Sequence, residues 1–319
     1  MTQKTDLNFV CDFLINHDNF AIICHSSPDG DTIGSGYALA ITLKNMGKKV
    51  GVFCSDPIPK KFGFISDAFE SNLEKTETVV SVDVADEALF GDGLARFKGN
   101  TVLAVDHHAS NREFSDYLYC DPTAGATCEI IYEIIKLLGA EFTPDVLNAL
   151  YTGIVTDTGC FKFSNAGEKT HLIAADLISR GVDSGEINRL MFDTKSIPRI
   201  KIEVAVMENM EFYMDGRVSF VAISEEMIKS SGCDENDLDG INSLSRTIEG
   251  VCVGITARQK ANGKYKISLR TNDPVNAAEI CEKFGGGGHI RAAGCEFCDS
   301  PEVFKPLILK EVEKALEEN

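Results

Sequence analysis

The sequence predicts an α/β protein: an N-terminal parallel sheet with helices on both faces, followed by a smaller C-terminal α/β domain with a mixed sheet. Three observations carry this. Short, almost wholly apolar runs recur at Phe20 to Cys24 (FAIIC), Thr78 to Val82 (TVVSV) and Thr101 to Val105 (TVLAV), as in strands buried on both faces. Stretches of helical spacing separate them. Beyond about residue 210 the order changes to alternating strands and a hairpin signal. A chain of 319 residues can fill two cores. The expected division is 1–183, a helical linker over 184–210, and 211–319.

In chain order, Leu7 to Ile15 has helical spacing and leads into the strand FAIIC. Gly34 to Met46 reads as a helix closed by Gly47, and Lys49 to Cys54 as the next strand. TVVSV and TVLAV follow, with a helix-like Glu87 to Phe97 between them. Ala126 to Leu138 is helical and stops at Gly139. Thr143-Pro144 starts another helix, which ends near Asp157 and precedes a short strand over Phe161 to Phe163. Glu168 to Ser179 is a further helix, and Ser184 to Met210 is helical with Pro198 interrupting. Then come a strand over Arg217 to Ile223, a helical Glu225 to Lys229, and strands over Val251 to Gln259 and Lys264 to Arg270. The Lys260-Ala261-Asn262-Gly263 segment between these two strands is a hairpin turn. A helix over Asn276 to Phe284 runs into four glycines and His289, and a last helix fills Pro301 to Leu316.

The composition narrows the function classes. The net charge is −18, from 31 basic and 49 acidic residues. Proteins that bind long nucleic acid by neutralising phosphates carry a basic face, so this balance favours small or short phosphorylated ligands. No apolar run approaches the ~18 residues of a membrane span, and the N-terminus lacks the layout of a secretory signal. A cytoplasmic location is expected. Eleven cysteines without framework spacing read as free thiols, and the lone Cys295-to-Cys298 pair lacks the second pair of a four-ligand zinc site.

In a parallel sheet, residues just past each strand gather along one edge, where ligands of open α/β sheets bind. TVLAV delivers Asp106, His107 and His108; FAIIC delivers His25, Asp29 and Asp31; TVVSV delivers Asp83. Imidazole and carboxylate together suit a divalent metal or acid–base chemistry. Pro28 and Gly30 enforce a turn that lets Asp29 and Asp31 aim at adjacent positions. The alternative is that one of them caps the following helix. Asp83 has two oxygens and could bridge two cations, or it is a turn residue. Asp157, in Thr156-Asp157-Thr158-Gly159, carries the same two readings. His17 and His171 read as structural or solvent-facing.

The run Gly285 to Gly288 costs backbone entropy and packs little. Its use is either to let backbone amides approach an anion or to act as a hinge. Arg258 keeps step with Thr256 and Gly254, and Arg270 with Ser268 and Lys266. Both arginines therefore lie off the apolar face, free either to grip phosphate or to face solvent.

HSSPDGD (25–31), the strand-end Asp83, Asp106-His107-His108, Thr156-Asp157-Thr158-Gly159 and FGGGGHIRAAG (284–294) stand in this order along nearly the whole chain. Together they resemble the DHH phosphoesterase family with its C-terminal associated domain, most closely the branch of small oligoribonucleases that also hydrolyse 3′-phosphoadenosine-5′-phosphate (pAp). The resemblance implies a catalytic domain over 1–183 and a substrate-binding domain over 211–319. It implies two divalent ions: His25 and Asp29 on the first, Asp31, His107 and Asp157 on the second, and Asp83 bridging them. Asp106 would orient a histidine, and His108 would contact the scissile phosphate. Gly286, Gly287, Gly288 and His289, with Arg258 and Arg270, would hold the rest of the substrate.

The implied activity is hydrolysis of RNAs of two to five nucleotides, linear dinucleotides such as pApA, and pAp, to mononucleotides, by two-metal activation of a bridging water. Mixed imidazole and carboxylate ligands favour manganese, with magnesium or cobalt as substitutes. Short RNA, dinucleotides or pAp are the expected partners, with no long nucleic acid and no membrane, and a homodimer is compatible with the resemblance. Two alternatives stand beside this one: a cyclic-di-AMP phosphodiesterase and a nucleotide-binding regulator without turnover. An intact ligand set argues against the regulator.

Overall fold

A computed structural model describes residues 2–317 apart from 235, 239, 261 and 273. Ala261, in the expected hairpin turn, thus lies outside the described residues. The chain forms two compact units, Met1–Thr194 and Lys195–Asn319. Among the described residues no helix is long and apolar enough to cross a membrane.

The first unit contains, in order, β1 (Gln3–Lys4), α1 (Leu7–Asn16), β2 (Phe20–Ile23), α2 (Gly30–Asn45), β3 (Val50–Phe53), α3 (Gly63–Ser66), β4 (Thr78–Val82), β5 (Leu103–Asp106), β6 (Tyr117–Cys120), α4 (Thr127–Leu137), α5 (Pro144–Asp157), α6 (Glu168–Ser179) and α7 (Ser184–Asn188). Its sheet has the order β1-β6-β5-β4-β2-β3, and every pairing is parallel. The chain leaves β2 for β3 on one side and returns to β4 on the other. The switch point therefore falls between β2 and β4, where parallel sheets bind ligands.

All nine residues of β2 and β4 are buried, as their almost wholly apolar runs require. Phe20, Ile22, Val80 and Val82 pack with α1, α2, α4 and α5 in the main core. Ala21, Ile23 and Val79 face the other way, onto Phe90, Leu94 and Phe97. Those three belong to two short 3-10 helices, Glu87–Phe90 and Asp92–Phe97. The single helix expected over this stretch is interrupted because Gly91 sits at φ 71°. The strand expected over Phe161 to Phe163 is absent. Gly159, Cys160 and Phe161 all hold positive φ (57°, 58° and 62°), a left-handed conformation no strand contains. The α2 helix begins at Gly30, four residues before the expected start, because Asp29 caps it.

The second unit contains α8 (Ile197–Glu208), β7 (Glu211–Tyr213), β8 (Val218–Ile223), α9 (Glu225–Ser231), β9 (Val253–Gln259), β10 (Tyr265–Thr271), α10 (Ala277–Glu282), β11 (Gly287–His289), β12 (Ala292–Phe297) and α11 (Pro301–Glu317). Its sheet runs β11-β12-β10-β9-β8-β7, with β8 and β9 parallel and the other pairs antiparallel. Pro198 stands in the first turn of α8 behind the Ser196 cap, where a proline fits. One face of the sheet packs Val253, Ile255, Ile267 and Leu269 against α10 and α11. On the other face, Val221 and Ile223 pack under α8 and Ile241. Farther along that second face lie Lys266, Ser268, Arg270, Ala292 and His289, mostly half-buried or exposed.

The glycine run is part of this sheet. Gly287, Gly288 and His289 pair with Gly294, Ala293 and Ala292. A Cβ on Gly286 would strike the Gly294 carbonyl oxygen, and one on Gly288 would lie 2.6 Å from the Ala292 oxygen. Close approach of β11 to β12 demands glycine at both positions.

Candidate metal centre

Every side chain expected at the carboxyl edge of the first sheet is found there, around the switch point. His25 follows β2 and Asp83 follows β4. Asp106 ends β5, with His107 and His108 directly behind it, and Asp157 ends α5. Asp29 and Asp31 stand at the start of α2.

Three groups place ligand atoms within 4.8 Å of one another: His25, Asp29 and Asp83; Asp31, His107 and Asp157; and Asp83, His107 and His108. Asp83 joins the first and third. Its Oδ2 lies 3.7 Å from His25 Nε2, and its Oδ1 lies 3.7 Å from His107 Nε2. His25 Nε2 is also 3.6 Å from Asp29 Oδ1, and His107 Nε2 is 3.9 Å from Asp31 Oδ2 and 3.7 Å from Asp157 Oδ2. These separations are too long for hydrogen bonds and leave space between the donors for a cation.

The imidazoles are set for this. His25 Nδ1 is 2.8 Å from the Ser26 carbonyl oxygen, and His107 Nδ1 is 3.1 Å from that of Ala124. A carbonyl only accepts, so each Nδ1 carries the proton and each Nε2 turns its lone pair to the carboxylates. His107 Nε2 is buried without any hydrogen-bond partner. A buried polar atom left unpaired is costly, and a cation among Asp31, Asp83 and Asp157 would satisfy it. The donor set therefore fits divalent ions.

The carboxylates are held from behind. Asp83 is 2 % exposed and sits at φ 59°, a strained backbone for a non-glycine residue. Its amide donates to the Val105 carbonyl (3.0 Å), and Thr127 Oγ1 donates to its Oδ1 (2.8 Å). Asp31 accepts the amides of Thr127 (2.6 Å) and Cys128 (2.9 Å) at the N-terminus of α4, where free amides and the helix dipole favour negative charge. Asp29 caps α2 through the amides of Asp31 and Thr32, so the capping and site-facing readings of this residue hold together. Burial, then repulsion from the neighbouring carboxylates, pushes Asp31 and Asp83 well above the usual carboxylate range. Burial does the same more mildly to Asp157. At His25 burial opposes charge, but the nearby Asp29 carboxylate outweighs it and raises the pKa.

Asp106 is of another kind. It is fully buried, and its oxygens accept the amides of His107 and His108, His108 Nδ1 (2.8 Å) and Asn111 Nδ2 (2.7 Å). These bonds outweigh burial and lower its pKa, while the bond from Asp106 lifts His108 to about 9.

Helix packing sets the remaining spacing. A Cβ on Gly34 would strike the Ala149 carbonyl, and one on Gly153 would strike Cys128 Sγ and come within 2.9 Å of Asp31 Oδ1. Glycine at these positions lets α2, α4 and α5 approach closely enough to bring Asp157 beside Asp31.

Several positioning residues lie outside the sequence-based set. Thr127 is one. Glu129 is another, fully buried, accepting Gly125 N (3.1 Å) and Thr170 Oγ1 (2.6 Å) behind the Ala124 carbonyl that holds His107. Asn165 ties the Gly125 carbonyl (2.9 Å) to Asp157. The acid in the first turn of α4 was a visible signal; the Thr127 hydroxyl was not. His17 and His171 lie apart, bonded to the Phe13 and Gly167 carbonyls. All eleven cysteines are free thiols.

In the second unit, Arg258 and Arg270 share a sheet face. Arg270 pairs with Gly254, four residues before Arg258 on β9, so the two are roughly 13 Å apart at about 3.3 Å per residue. His289 shares the Arg270 row through Ala292.

Residues 19–154 match the N-terminal domain of the DHH family, and residues 217–318 match the DHHA1 domain. The chain is 33% identical over 280 residues to the bifunctional oligoribonuclease and PAP phosphatase NrnA of Thermus thermophilus, covering 86% of this chain and 82% of that one. The chain belongs to the DHH family. As a DHH protein it is a phosphoesterase, and hence a hydrolase. A probable NrnA of Streptococcus mutans is 27% identical, covering 91% of this chain and 94% of the other. The crystal structure of an exopolyphosphatase-related protein from Bacteroides fragilis superposes with a TM-score of 0.86 at 24% identity, over 98% of this chain and 95% of that one, so the fold is shared.

Proposed function

We propose that this DHH phosphoesterase hydrolyses RNAs of two to five nucleotides, linear dinucleotides such as pApA, and pAp, releasing mononucleotides. The observation that carries the reading is Asp83, whose two oxygens face two histidines of opposite groups at 3.7 Å each. Such a carboxylate belongs between two cations. Similarity to the NrnA proteins supports the substrate class, and the −18 charge favours short substrates over long polymers.

His25, Asp29 and Asp83 would hold one ion, and Asp31, Asp83, His107 and Asp157 the other, with manganese preferred for this mixed nitrogen and oxygen set. When bound, the two ions would supply Lewis acidity to the phosphoryl group and make a water acidic enough to serve as nucleophile near neutral pH. His108, protonated through its bond to Asp106, presents its other nitrogen as a donor for a phosphate oxygen. Gly286, Gly287, Gly288, His289, Arg258 and Arg270 would hold the remainder of the substrate. We place the enzyme in the cytoplasm.

The test is a kcat/KM panel with manganese over pAp, pApA, cyclic di-AMP and RNAs of rising length. The expected order puts pAp, pApA and the shortest RNAs first. Survival of all three with manganese present would refute the hydrolase reading, and a preference for cyclic di-AMP would replace the linear-substrate one.

A further inference from the structure

Two half-buried arginines of the second unit, Arg246 and Arg270, make no ion pair among the described residues. Arg270 is half-buried on β10, and its side chain donates to its own neighbour, the Leu269 carbonyl (3.1 Å). Arg246 is half-buried at the end of the 3-10 helix Ile241–Arg246. Burial, and then the charge of Arg246, lowers the pKa of Arg270.

The sheet enforces this proximity. Gly254 is the cross-strand partner of Arg270, and a Cβ there would lie 2.5 Å from Ser245 Oγ. The 3-10 helix is thus pressed onto the sheet at the Arg270 row. Ser219 Oγ donates to the Ser245 carbonyl, and Thr256 Oγ1 bonds to Ser245 Oγ (3.3 Å). Arg246 is the next residue, so its backbone is fixed. Along the same row, beyond Ala292, lies the exposed His289. Arg258 is roughly 13 Å away along β9 and belongs to a different part of the face.

Two half-buried guanidinium groups that repel each other are destabilising unless an anion joins them. A phosphate monoester carries close to two negative charges above pH ~6 and offers three oxygens to planar, forked donors. A phosphodiester carries one charge and leaves one guanidinium uncompensated. We propose that Arg246 and Arg270 form a paired clamp for a terminal phosphate monoester, so that the protein selects 5′-phosphorylated short substrates over unphosphorylated ones. This rests on the phosphoesterase reading above and names the substrate end it recognises.

The full-length protein tests it in two ways. With manganese, the wild type prefers pApA over ApA by at least about tenfold in kcat/KM, and Arg246→Ala reduces that preference to within about threefold, with Arg246→Lys between. After chelation of metal, calorimetry with AMP shows affinity at least about tenfold weaker in Arg246→Ala. The variant melts no lower than wild type, since one of two repelling charges is gone. An unchanged pApA-to-ApA ratio, an equal loss on both substrates, unchanged AMP affinity or a lowered melting temperature would each overturn the clamp. If the wild type hydrolyses neither dinucleotide while AMP binding still depends on Arg246, the phosphoesterase reading fails and the clamp stands.

Discussion

His108 Nδ1 stands 2.8 Å from Asp106 Oδ1, and this bond divides the Asp-His-His triplet into three jobs. Asp106 accepts four donors, three on Oδ1 and one on Oδ2, and is taken up with holding the loop and His108. His107, fixed through Ala124, turns its unpaired Nε2 inward. His108, 43 % exposed in its side chain, turns its Nε2 outward with the proton its raised pKa secures.

Asp106→Asn should therefore spare the metals and damage His108. We expect kcat to fall roughly 10- to 100-fold, the usual cost of losing such a supporting partner, with metal content near normal by elemental analysis. In the metal-free protein, NMR should find His108 titrating near 9 in the wild type and closer to ~6.5 in the variant. An unmoved titration would sink the assignment.

How much of this was legible in the sequence depends on what each residue answers to. Asp106, His107 and His25 were readable because a buried apolar strand has no use for them, and the parallel sheet sends them to one edge. Three other features were not. The αL conformation of Asp83 comes from its tertiary setting and not from any local turn signal. Thr127 looks like an ordinary helix-start threonine until Asp83 is placed beside it. Strand β12 (AAGCEF) has too little side chain to show a period, and its pairing with the glycines of β11 depends on that smallness. The turn after Asp157 reads as a strand because FKF alternates, but the backbone already turns at Gly159.

Removing metal should destabilise the first unit in a pH-dependent way. The pKa values of Asp31, Asp83 and Asp157 are raised by burial and mutual repulsion. A carboxylate with a raised folded pKa stabilises fully below its unfolded value of ~3.9 and loses that contribution as pH rises through the folded value. The chelated protein should lose this contribution, and melt lower, as pH is raised above ~4 through the titration of these groups. Manganese at about 100 times its Kd adds ~2.7 kcal/mol, or roughly 5–10 °C, and should flatten the trend. A chelated protein whose Tm falls nowhere as pH rises above ~4 would contradict this.

Asp83→Ala removes the proposed shared ligand. Several kcal/mol of charge stabilisation depend on a paired site, so turnover should fall about a thousandfold or more. Metal content should drop from two ions to one or fewer. Near-normal turnover with two ions retained would show that Asp83 is no bridge.

Gly153→Ala tests the helix spacing. The added methyl strikes Cys128 Sγ and crowds Asp31 Oδ1, and overpacking of this kind costs about 1–3 kcal/mol. Chemical denaturation should show that loss, and manganese affinity should fall with it. Adding Cys128→Ala removes the sulfur but leaves the Asp31 contact, so the double variant should recover part of the stability and less of the affinity. Strict additivity of the two substitutions would mean that they do not share this contact.

Thr127→Val separates a hydroxyl from a helix start. Thr127 is fully buried; its amide serves Asp31 (2.6 Å) and its Oγ1 serves Asp83 (2.8 Å). Valine keeps the amide and the shape, so Asp31 should be undisturbed, while Asp83 Oδ1 loses its one protein donor. A buried acceptor left short costs about 1–3 kcal/mol, and the cost should grow as pH rises and Asp83 gains its charge. Without that bond the αL turn of Asp83 keeps its amide on Val105 but loses a tether on its carboxylate, so its oxygens should sit less well between His25 and His107. Manganese affinity should then fall while Thr127→Ser, which restores the donor, returns both stability and affinity towards wild type. Equal behaviour of the valine and serine variants, in stability across the pH range and in manganese binding, would show that the hydroxyl has no part in holding Asp83.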